Sequence, residues 1–179
     1  STGTIAKRYK SINVENLEQN RLSFRQTLFN SSGMKDYIGG VILFDETIKQ
    51  KTTLGLTIPE LISKNGAIPG IKVDKGAKLL AGSNEETITE GLDGLRERLK
   101  EYYSLGARFT KWRAVYKIND KNPSPQSIKS NAHALARYAA LVQESKMVPI
   151  IEPEVLMDGS HDIEKCYKVT TSVLNECYN

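Results

Sequence analysis

Three pairs of charged residues are the part of this sequence with the clearest capacity for chemistry. Each pair has one residue between its members and interrupts an apolar, β-branched or aromatic run. The pairs are Lys72 with Asp74, Lys111 with Arg113, and Glu152 with Glu154. Alternation along a strand places both members of such a pair on one face. Because a buried charge is costly unless it is paired or hydrogen-bonded, these charges are expected to form ion pairs with each other or to bind a ligand.

The chemistry that such a set favours is proton transfer. A lysine beside other cations or in a dry pocket has a lowered pKa, and a carboxylate beside another carboxylate has a raised one. Both shifts bring protonation changes toward neutral pH, as a general acid or base requires. The alternative is a network of buried ion pairs that only stabilises the fold. The recurrence of a pair on three predicted strands favours the functional interpretation.

Four short apolar runs bounded by turn residues predict the strands that carry these pairs. The predicted strands span 37–44, 67–74, 107–117 and 147–156. Apolar residues at helical spacing predict helices over 15–30, 58–66, 91–105, 125–144 and 162–177. The 15–30 helix is expected to bury Leu17, Arg21, Phe24 and Leu28, and Ser124 is expected to cap the 125–144 helix.

Strands that alternate with helices about every 30–40 residues predict an α/β fold with a parallel sheet. An open doubly wound sheet and a (β/α)₈ barrel both fit this alternation. In an open sheet the charged face would press against helices, whereas a barrel collects its functional residues at the C-terminal ends of the strands. Each charged pair lies in the C-terminal half of its predicted strand, so the pattern favours the barrel. It also predicts that Glu152 and Glu154 lie beside Lys111 and Arg113 of the preceding strand.

The composition argues against several other classes of protein. The 179 residues are 39% hydrophobic and 26% charged, an ordinary balance for one globular domain. A net charge of +4, without a block of Lys or Arg, does not predict nucleic-acid binding. No apolar run approaches the ~18 residues of a membrane helix. The histidines, His133 and His161, and the cysteines, Cys166 and Cys177, lack metal-site spacing, and the scarcity of cysteine favours the cytoplasm.

The N-terminal stretch STGTIAKR, residues 1–8, is a candidate anion site. Hydroxyl groups and a glycine lead into a predicted helix start, followed by Lys7 and Arg8. Backbone N–H groups at a helix N-terminus, together with such hydroxyls and cations, can bind a phosphate. An ordinary capped helix explains the same residues equally well.

The motifs together resemble those of the class I fructose-bisphosphate aldolases, which are glycolytic enzymes. The matching stretches are STGTIAKR, SINVENLEQNR, GGVILFDET, GIKVDKG, GLDGL, ARFTKWR, LARYA and VPIIEPEVL, followed by DG, HDIE and Cys166. The resemblance runs over residues 1–179. It implies a (β/α)₈ barrel, usually a homotetramer. Such an enzyme cleaves fructose 1,6-bisphosphate to dihydroxyacetone phosphate and glyceraldehyde 3-phosphate through a lysine Schiff base, without metal or other cofactor.

The resemblance also implies roles for matching positions. Glu152 corresponds to the general acid/base of imine formation and C–C cleavage, and Glu154 to the neighbour that holds the lysine network. Lys111 corresponds to an active-site lysine that does not form the imine, and Asp74 to a charge partner of Lys72. The residues implied to bind the substrate or its phosphates are Ser1, Thr4, Arg8, Arg21, Lys72 and Arg113. The residues by themselves do not show which lysine is the nucleophile.

The resemblance further implies that the chain is an internal fragment. The first barrel strand, with a catalytic aspartate, would precede Ser1, and the sixth, with the imine-forming lysine, would follow Asn179. Residues 1–179 would then be one partial domain with barrel strands two to five, inactive alone. Two other functions stay open: a scaffold that binds actin or acidic receptor-tail peptides, suggested by the +4 charge, and another Schiff-base lyase of sugar phosphates.

Overall fold

A computed structural model describes residues 2–121 and 123–179, which contain eight helices and six strands. In chain order they are α1 (Thr2–Ser11), α2 (Glu18–Phe29), α3 (Met34–Tyr37), β1 (Gly40–Leu43), α4 (Asp45–Lys49), α5 (Ile58–Lys64), β2 (Ile68–Lys72), β3 (Ala77–Leu79), β4 (Thr87–Thr89), α6 (Leu95–Ser104), β5 (Phe109–Tyr116), α7 (Pro125–Glu144), β6 (Val148–Val155) and α8 (Ile163–Tyr178). None of the described helices has the length and hydropathy to cross a membrane.

The chain divides into two compact units. The first contains residues up to 72 together with 102–108, and the second contains 73–101 and 109–179. In the first unit β1 and β2 pair in parallel, with Gly40 opposite Ile68. In the second unit β5 and β6 pair in parallel, with Phe109 opposite Val148. The parallel pairing of all four strands confirms the predicted α/β class.

The predicted parallel strands all form, and β5 shows the alternation that was expected of it. Its buried residues are Thr110, Trp112, Ala114 and Tyr116, and the residues between them are half-buried. Strand β6 differs, because Ile151, the register partner of the buried Trp112, is 41% exposed. The prediction that both charges of the pair on β5 lie in the C-terminal half of the strand is also wrong. Lys111 is the third of eight residues, in the first half of the strand.

A short antiparallel hairpin, β3 with β4, was not predicted. Ala77 lies opposite Thr89 in this hairpin. The hydroxyl of Thr89 donates to the carbonyl oxygen of Arg113 at 2.7 Å, and that of Thr87 to the carbonyl of Val115 at 3.3 Å. Side-chain hydroxyls therefore attach the hairpin to β5. Each hairpin strand has only three residues, too few for a period of two to be recognised.

The face that α2 buries differs from the prediction. Leu17 and Leu28 are more than half exposed, whereas Arg21 and Arg25 are each only 8% exposed. Both guanidinium groups bind the carboxylate of Glu46 on α4, Arg21 Nη2 at 2.5 Å and Arg25 Nη1 at 2.6 Å. A partner from another helix thus makes it possible to bury the two cations. The spacing of apolar residues along α2 contains no sign of that partner.

Helix α7 begins and ends where the sequence predicted. The hydroxyl oxygen of Ser124 accepts a hydrogen bond from the Ser127 amide at 3.2 Å, and Pro125 occupies the first turn. Leu135 and Val142 of the predicted apolar face are almost completely buried. Caps and apolar spacing are local features, so they locate this helix without knowledge of its partners.

Helix α5 begins with a capping box, which gives a first prediction. The hydroxyl oxygen of Thr57 accepts from the Glu60 amide at 3.3 Å, and the Glu60 carboxylate accepts from the Thr57 amide at 2.8 Å. Thr57→Ala is expected to destabilise the first turn by about 1 kcal/mol. Amide hydrogen exchange over residues 58–64 should accelerate correspondingly. Thr57→Ser, which keeps the acceptor, should retain the parent rates, and equal exchange in both variants would contradict the prediction.

Candidate active site

Strands β5 and β6 hold four of the predicted charges on one face of the second unit. In the parallel register Arg113 lies opposite Glu152, and Val115 lies opposite Glu154. The other face of β5 carries the buried Trp112 and its buried neighbours at every second position. The alternation expected from the sequence thus places the charged side chains of both strands on the same side of the ladder.

The four charges form two ion pairs across the strands. Lys111 Nζ lies 2.8 Å from Glu152 Oε2, and Arg113 Nε donates a hydrogen bond to Glu154 Oε2. Each cation pairs diagonally, with the carboxylate that lies two residues beyond its register partner along β6. All four side chains are between 27% and 40% exposed. The prediction that the two glutamates lie beside these two cations is confirmed.

The Glu152 carboxylate has one oxygen without an aligned hydrogen bond. Its Oε2 is buried and accepts no hydrogen bond of acceptable geometry from the residues that the structure describes. The contact with Lys111 Nζ is therefore an ion pair by distance and not an aligned hydrogen bond. A carboxylate in this position can exchange a proton with a group that approaches beside the lysine.

Glu154 is held in its ionised form. The hydrogen bond from Arg113 is the main cause that lowers the pKa of Glu154, with further Coulomb attraction from Arg113 and Lys111 against the effect of burial. The same hydrogen bond raises the pKa of Arg113. The expectation that two neighbouring carboxylates raise each other's pKa is wrong for Glu154, because a cation contacts it directly. Of the two glutamates, Glu152 is therefore the candidate for acid–base work.

Asp74 supports the backbone beside these charges. Its Oδ1 accepts from the Gly76 amide at 3.0 Å and its Oδ2 from the Arg113 amide at 3.4 Å. Gly91, in the GLDGL motif, packs closely against this segment with φ +133°, and a Cβ there would lie 3.0 Å from the Lys75 amide nitrogen. Only glycine fits such a conformation and approach. The GLDGL motif is therefore structural. Its Gly91 allows the chain that follows β2 to pack beside the charged residues.

Comparison with known proteins identifies the family. A family model described as glycolytic, fructose-bisphosphate aldolase class-I, matches residues 1–179. This chain belongs to the class I fructose-bisphosphate aldolase family. The probable class 1 aldolase of Xanthomonas axonopodis pv. citri is 58% identical over 178 residues, which cover 99% of this chain and 53% of that protein. Cytosolic aldolase 5 of Arabidopsis thaliana is 60% identical over 178 residues, 99% of this chain and 50% of that protein.

A solved aldolase structure shares the fold. The fructose-bisphosphate aldolase of Plasmodium falciparum, in a complex with TRAP and a small-molecule inhibitor, superimposes with a TM-score of 0.96 at 48% identity. The match covers 99% of this chain and 52% of that chain. The chain spans about half the length of the aldolases that it matches.

Four further residues that the aldolase resemblance implicates lie in the first unit: Thr4, Arg8, Arg21 and Lys72. Thr4 and Arg8 are exposed and four residues apart on α1, so they share a face of that helix. Lys72 is the last residue of β2 and is half-buried. Ser1 lies outside the described residues. Contacts of these residues with a substrate phosphate stay predictions.

Arg21 has a different environment from that of an open phosphate site. Its Nε and Nη2 bind the two oxygens of Glu46 at 2.9 and 2.5 Å, and its Nη1 binds the carbonyl oxygen of Asn16 at 2.7 Å. The guanidinium is thus engaged on every nitrogen by protein groups. This arrangement favours a structural role, although phosphate binding by Arg21 stays a prediction.

The histidines lie on α7 and just before α8. His133 is exposed on α7, and His161 directly precedes Asp162, whose carboxylate caps α8 by accepting from the Lys165 amide at 2.8 Å. His161 thus lies at the N-terminal end of α8. In residues 2–121 and 123–179, His, Cys, Asp and Glu side chains form no group of three or more suited to a metal ion.

Two polar residues that no motif indicated hold strand β4 and the segments around Val73 and Gly91. Asn131 of α7 accepts from the Thr89 amide at 3.3 Å and donates to the carbonyl oxygen of Thr87 at 2.8 Å. Arg98 donates to the carbonyl oxygens of Val73 at 2.9 Å and Gly91 at 2.5 Å. The one sequence signal for these contacts is that Asn131 is a polar residue on the apolar face of a predicted helix.

Proposed function

We propose that this protein is an aldolase that cleaves fructose 1,6-bisphosphate reversibly to dihydroxyacetone phosphate and glyceraldehyde 3-phosphate through a lysine Schiff base. The observation that carries the proposal is the Lys111–Glu152 ion pair at 2.8 Å beside the Arg113–Glu154 pair, in a chain of this family. A retro-aldol step needs an electron sink, a base for a hydroxyl proton, and cations for two phosphates. The site supplies the base and the cations.

The proposed roles follow from the pairing. Glu152 transfers the protons of imine formation and of C–C cleavage, while Lys111 stabilises negative charge beside it. Glu154 stays ionised and fixes Arg113 for substrate binding, and Asp74 is proposed as a charge partner of Lys72. The proposed phosphate-binding residues are Ser1, Thr4, Arg8, Arg21, Lys72 and Arg113. The lysine that forms the imine is proposed to lie outside these 179 residues, on the sixth strand.

The proposed fold is a (β/α)₈ barrel in which β1, β2, β5 and β6 are the second to fifth barrel strands. Support comes from the family match over residues 1–179 and from the solved aldolase that covers 99% of this chain. Both units are proposed to belong to this one domain. The relatives named cytosolic support a cytosolic location.

Borohydride trapping tests the Schiff base directly. The full-length enzyme is incubated with fructose 1,6-bisphosphate, reduced with borohydride and mapped by peptide mass spectrometry. We expect one adduct on a lysine outside residues 1–179, together with release of triose phosphates before reduction. An adduct on Lys72 or Lys111 would overturn the assignment of the nucleophile. Cleavage of other sugar phosphates without cleavage of fructose 1,6-bisphosphate would indicate another Schiff-base lyase instead of the proposed aldolase.

Binding of acidic peptides is a second candidate function. It is supported by the net charge of +4. The proposed partners are actin or acidic receptor tails, bound by a homotetramer. Capture of an acidic peptide should weaken with salt and persist in Glu152→Gln, whereas capture that is insensitive to salt would contradict it. Analytical ultracentrifugation of the full-length protein measures its oligomeric state and so tests the proposed homotetramer.

A further inference from the structure

We propose that Tyr138 of α7 is a positioning residue that sets the distance between Lys111 and Glu152 by tying β5 to β6. The inference rests on the proposed function for its catalytic consequence. The tie itself is a statement about the structure of the second unit.

One hydroxyl group contacts both strands. Tyr138 is completely buried, and its OH lies 2.6 Å from Thr110 Oγ1 on β5 and 3.3 Å from the carbonyl oxygen of Ile150 on β6. A carbonyl oxygen can only accept, so Tyr138 donates to Ile150 and the hydroxyl of Thr110 donates to Tyr138. A buried hydroxyl is costly unless it is hydrogen-bonded, and these two bonds satisfy the Tyr138 OH both as a donor and as an acceptor.

The bonds lie next to the ion pair. Thr110 immediately precedes Lys111, and Ile150 is the register partner of Lys111 and stands two residues before Glu152. Successive side chains of a strand point to opposite faces, so Tyr138 acts on the side of the ladder away from the charges. A shift of β6 relative to β5 at this level would change the 2.8 Å separation of Lys111 Nζ and Glu152 Oε2 directly.

The ring of Tyr138 adds a second contact with β5. Its centroid lies 5.3 Å from that of Trp112, which is also fully buried and stands between the two cations, Lys111 and Arg113. Tyr138 therefore touches the residues before and after Lys111. Strand β6 itself includes Pro149 and Pro153, which have no N–H to donate to a ladder. The hydrogen bond from Tyr138 to β6 therefore contributes more to holding this strand in place than it would if every residue of the strand had a backbone N–H.

Tyr138→Phe in the full-length enzyme isolates the hydroxyl, because the ring is kept. We expect kcat for fructose 1,6-bisphosphate to fall about tenfold, with KM changed less than about twofold, since Glu152, which transfers the protons, is misplaced relative to Lys111 while the binding groups remain. In the crystal structure of the variant, the distance from Lys111 Nζ to Glu152 Oε2 should lengthen by about 0.5 Å or more.

Tyr116→Phe is the matched control. Tyr116 is a second buried tyrosine, at the end of β5, and its OH has no hydrogen-bond partner among the described residues. Its removal should leave kcat and the Lys111–Glu152 distance at the parent values. The double variant Tyr138→Phe with Thr110→Val removes both hydroxyls, so no orphaned donor is left. We expect its melting temperature to recover while its kcat stays about tenfold low.

The outcomes separate a positioning role from a structural one. Recovery of kcat in the double variant would assign the loss to the orphaned Thr110 hydroxyl and overturn the proposal. A parent-like kcat or a parent-like Lys111–Glu152 distance in Tyr138→Phe would also overturn it. If the parent enzyme does not cleave fructose 1,6-bisphosphate, the proposed function fails, and the distance in the Tyr138→Phe and Tyr116→Phe structures still decides whether Tyr138 ties the strands.

Discussion

Glu152→Gln is expected to lower kcat for fructose 1,6-bisphosphate cleavage by about 10²- to 10⁴-fold, the usual contribution of a positioned general acid or base. Glutamine preserves the size of the side chain and removes its capacity to take and return a proton. Glu154, the other carboxylate of the two strands, is a poor substitute, because Arg113 holds it ionised. Steady-state assays of triose phosphate release on the full-length enzyme measure kcat and KM separately.

Glu85→Gln is the matched control for that prediction. Glu85 also pairs with a lysine, Lys117, at 3.6 Å, but both side chains are about 60% exposed. Its kcat should remain within about twofold of the parent value, as expected for loss of an exposed pair. Parent-like kcat in Glu152→Gln would remove Glu152 from the acid–base role. Equal losses in both variants would show that the effect is not specific to the site.

Glu46→Gln is expected to cause the largest loss of stability, about 3 kcal/mol in the free energy of unfolding at neutral pH. One carboxylate neutralises Arg21 and Arg25, which are each 8% exposed. Glutamine can still accept a hydrogen bond, but it removes the carboxylate that contacts two largely buried guanidinium groups. Urea denaturation at pH 7, followed by circular dichroism, measures the change. The Glu144→Gln variant, which breaks the exposed pair with Arg96, should change little.

The same network predicts how stability depends on pH. The hydrogen bond from Arg21 is the main cause that lowers the pKa of Glu46 from 4.5 to about 2. Since the folded state binds the proton less readily than the unfolded state, the stabilising contribution is complete above pH ~4.5 and is lost as the pH falls toward ~2. Urea midpoints from pH 7 to pH 3 should therefore fall less steeply in Glu46→Gln than in the parent. Parallel pH profiles would contradict the assigned role of Glu46.

The amino-acid sequence alone determined the local elements and the faces of the strands. The strand β5 and helix α7 lie where the patterns place them, because a period of two, a serine cap and apolar helical spacing act within a few residues of chain. The same alternation placed Lys111 and Arg113 opposite the buried Trp112, and Glu152 and Glu154 beside them. The family was recognisable for the same reason, since its motifs are short and contiguous.

Only the tertiary structure decided which distant groups meet. Arg21 is buried because Glu46 lies beside it, Glu154 stays ionised because Arg113 donates to it, and the hydroxyl of Tyr138 reaches two strands. Each contact joins residues that are 12 or more positions apart in the chain. Their energies depend on separations of a few ångströms and on exclusion of water, and no local pattern of residues records either quantity.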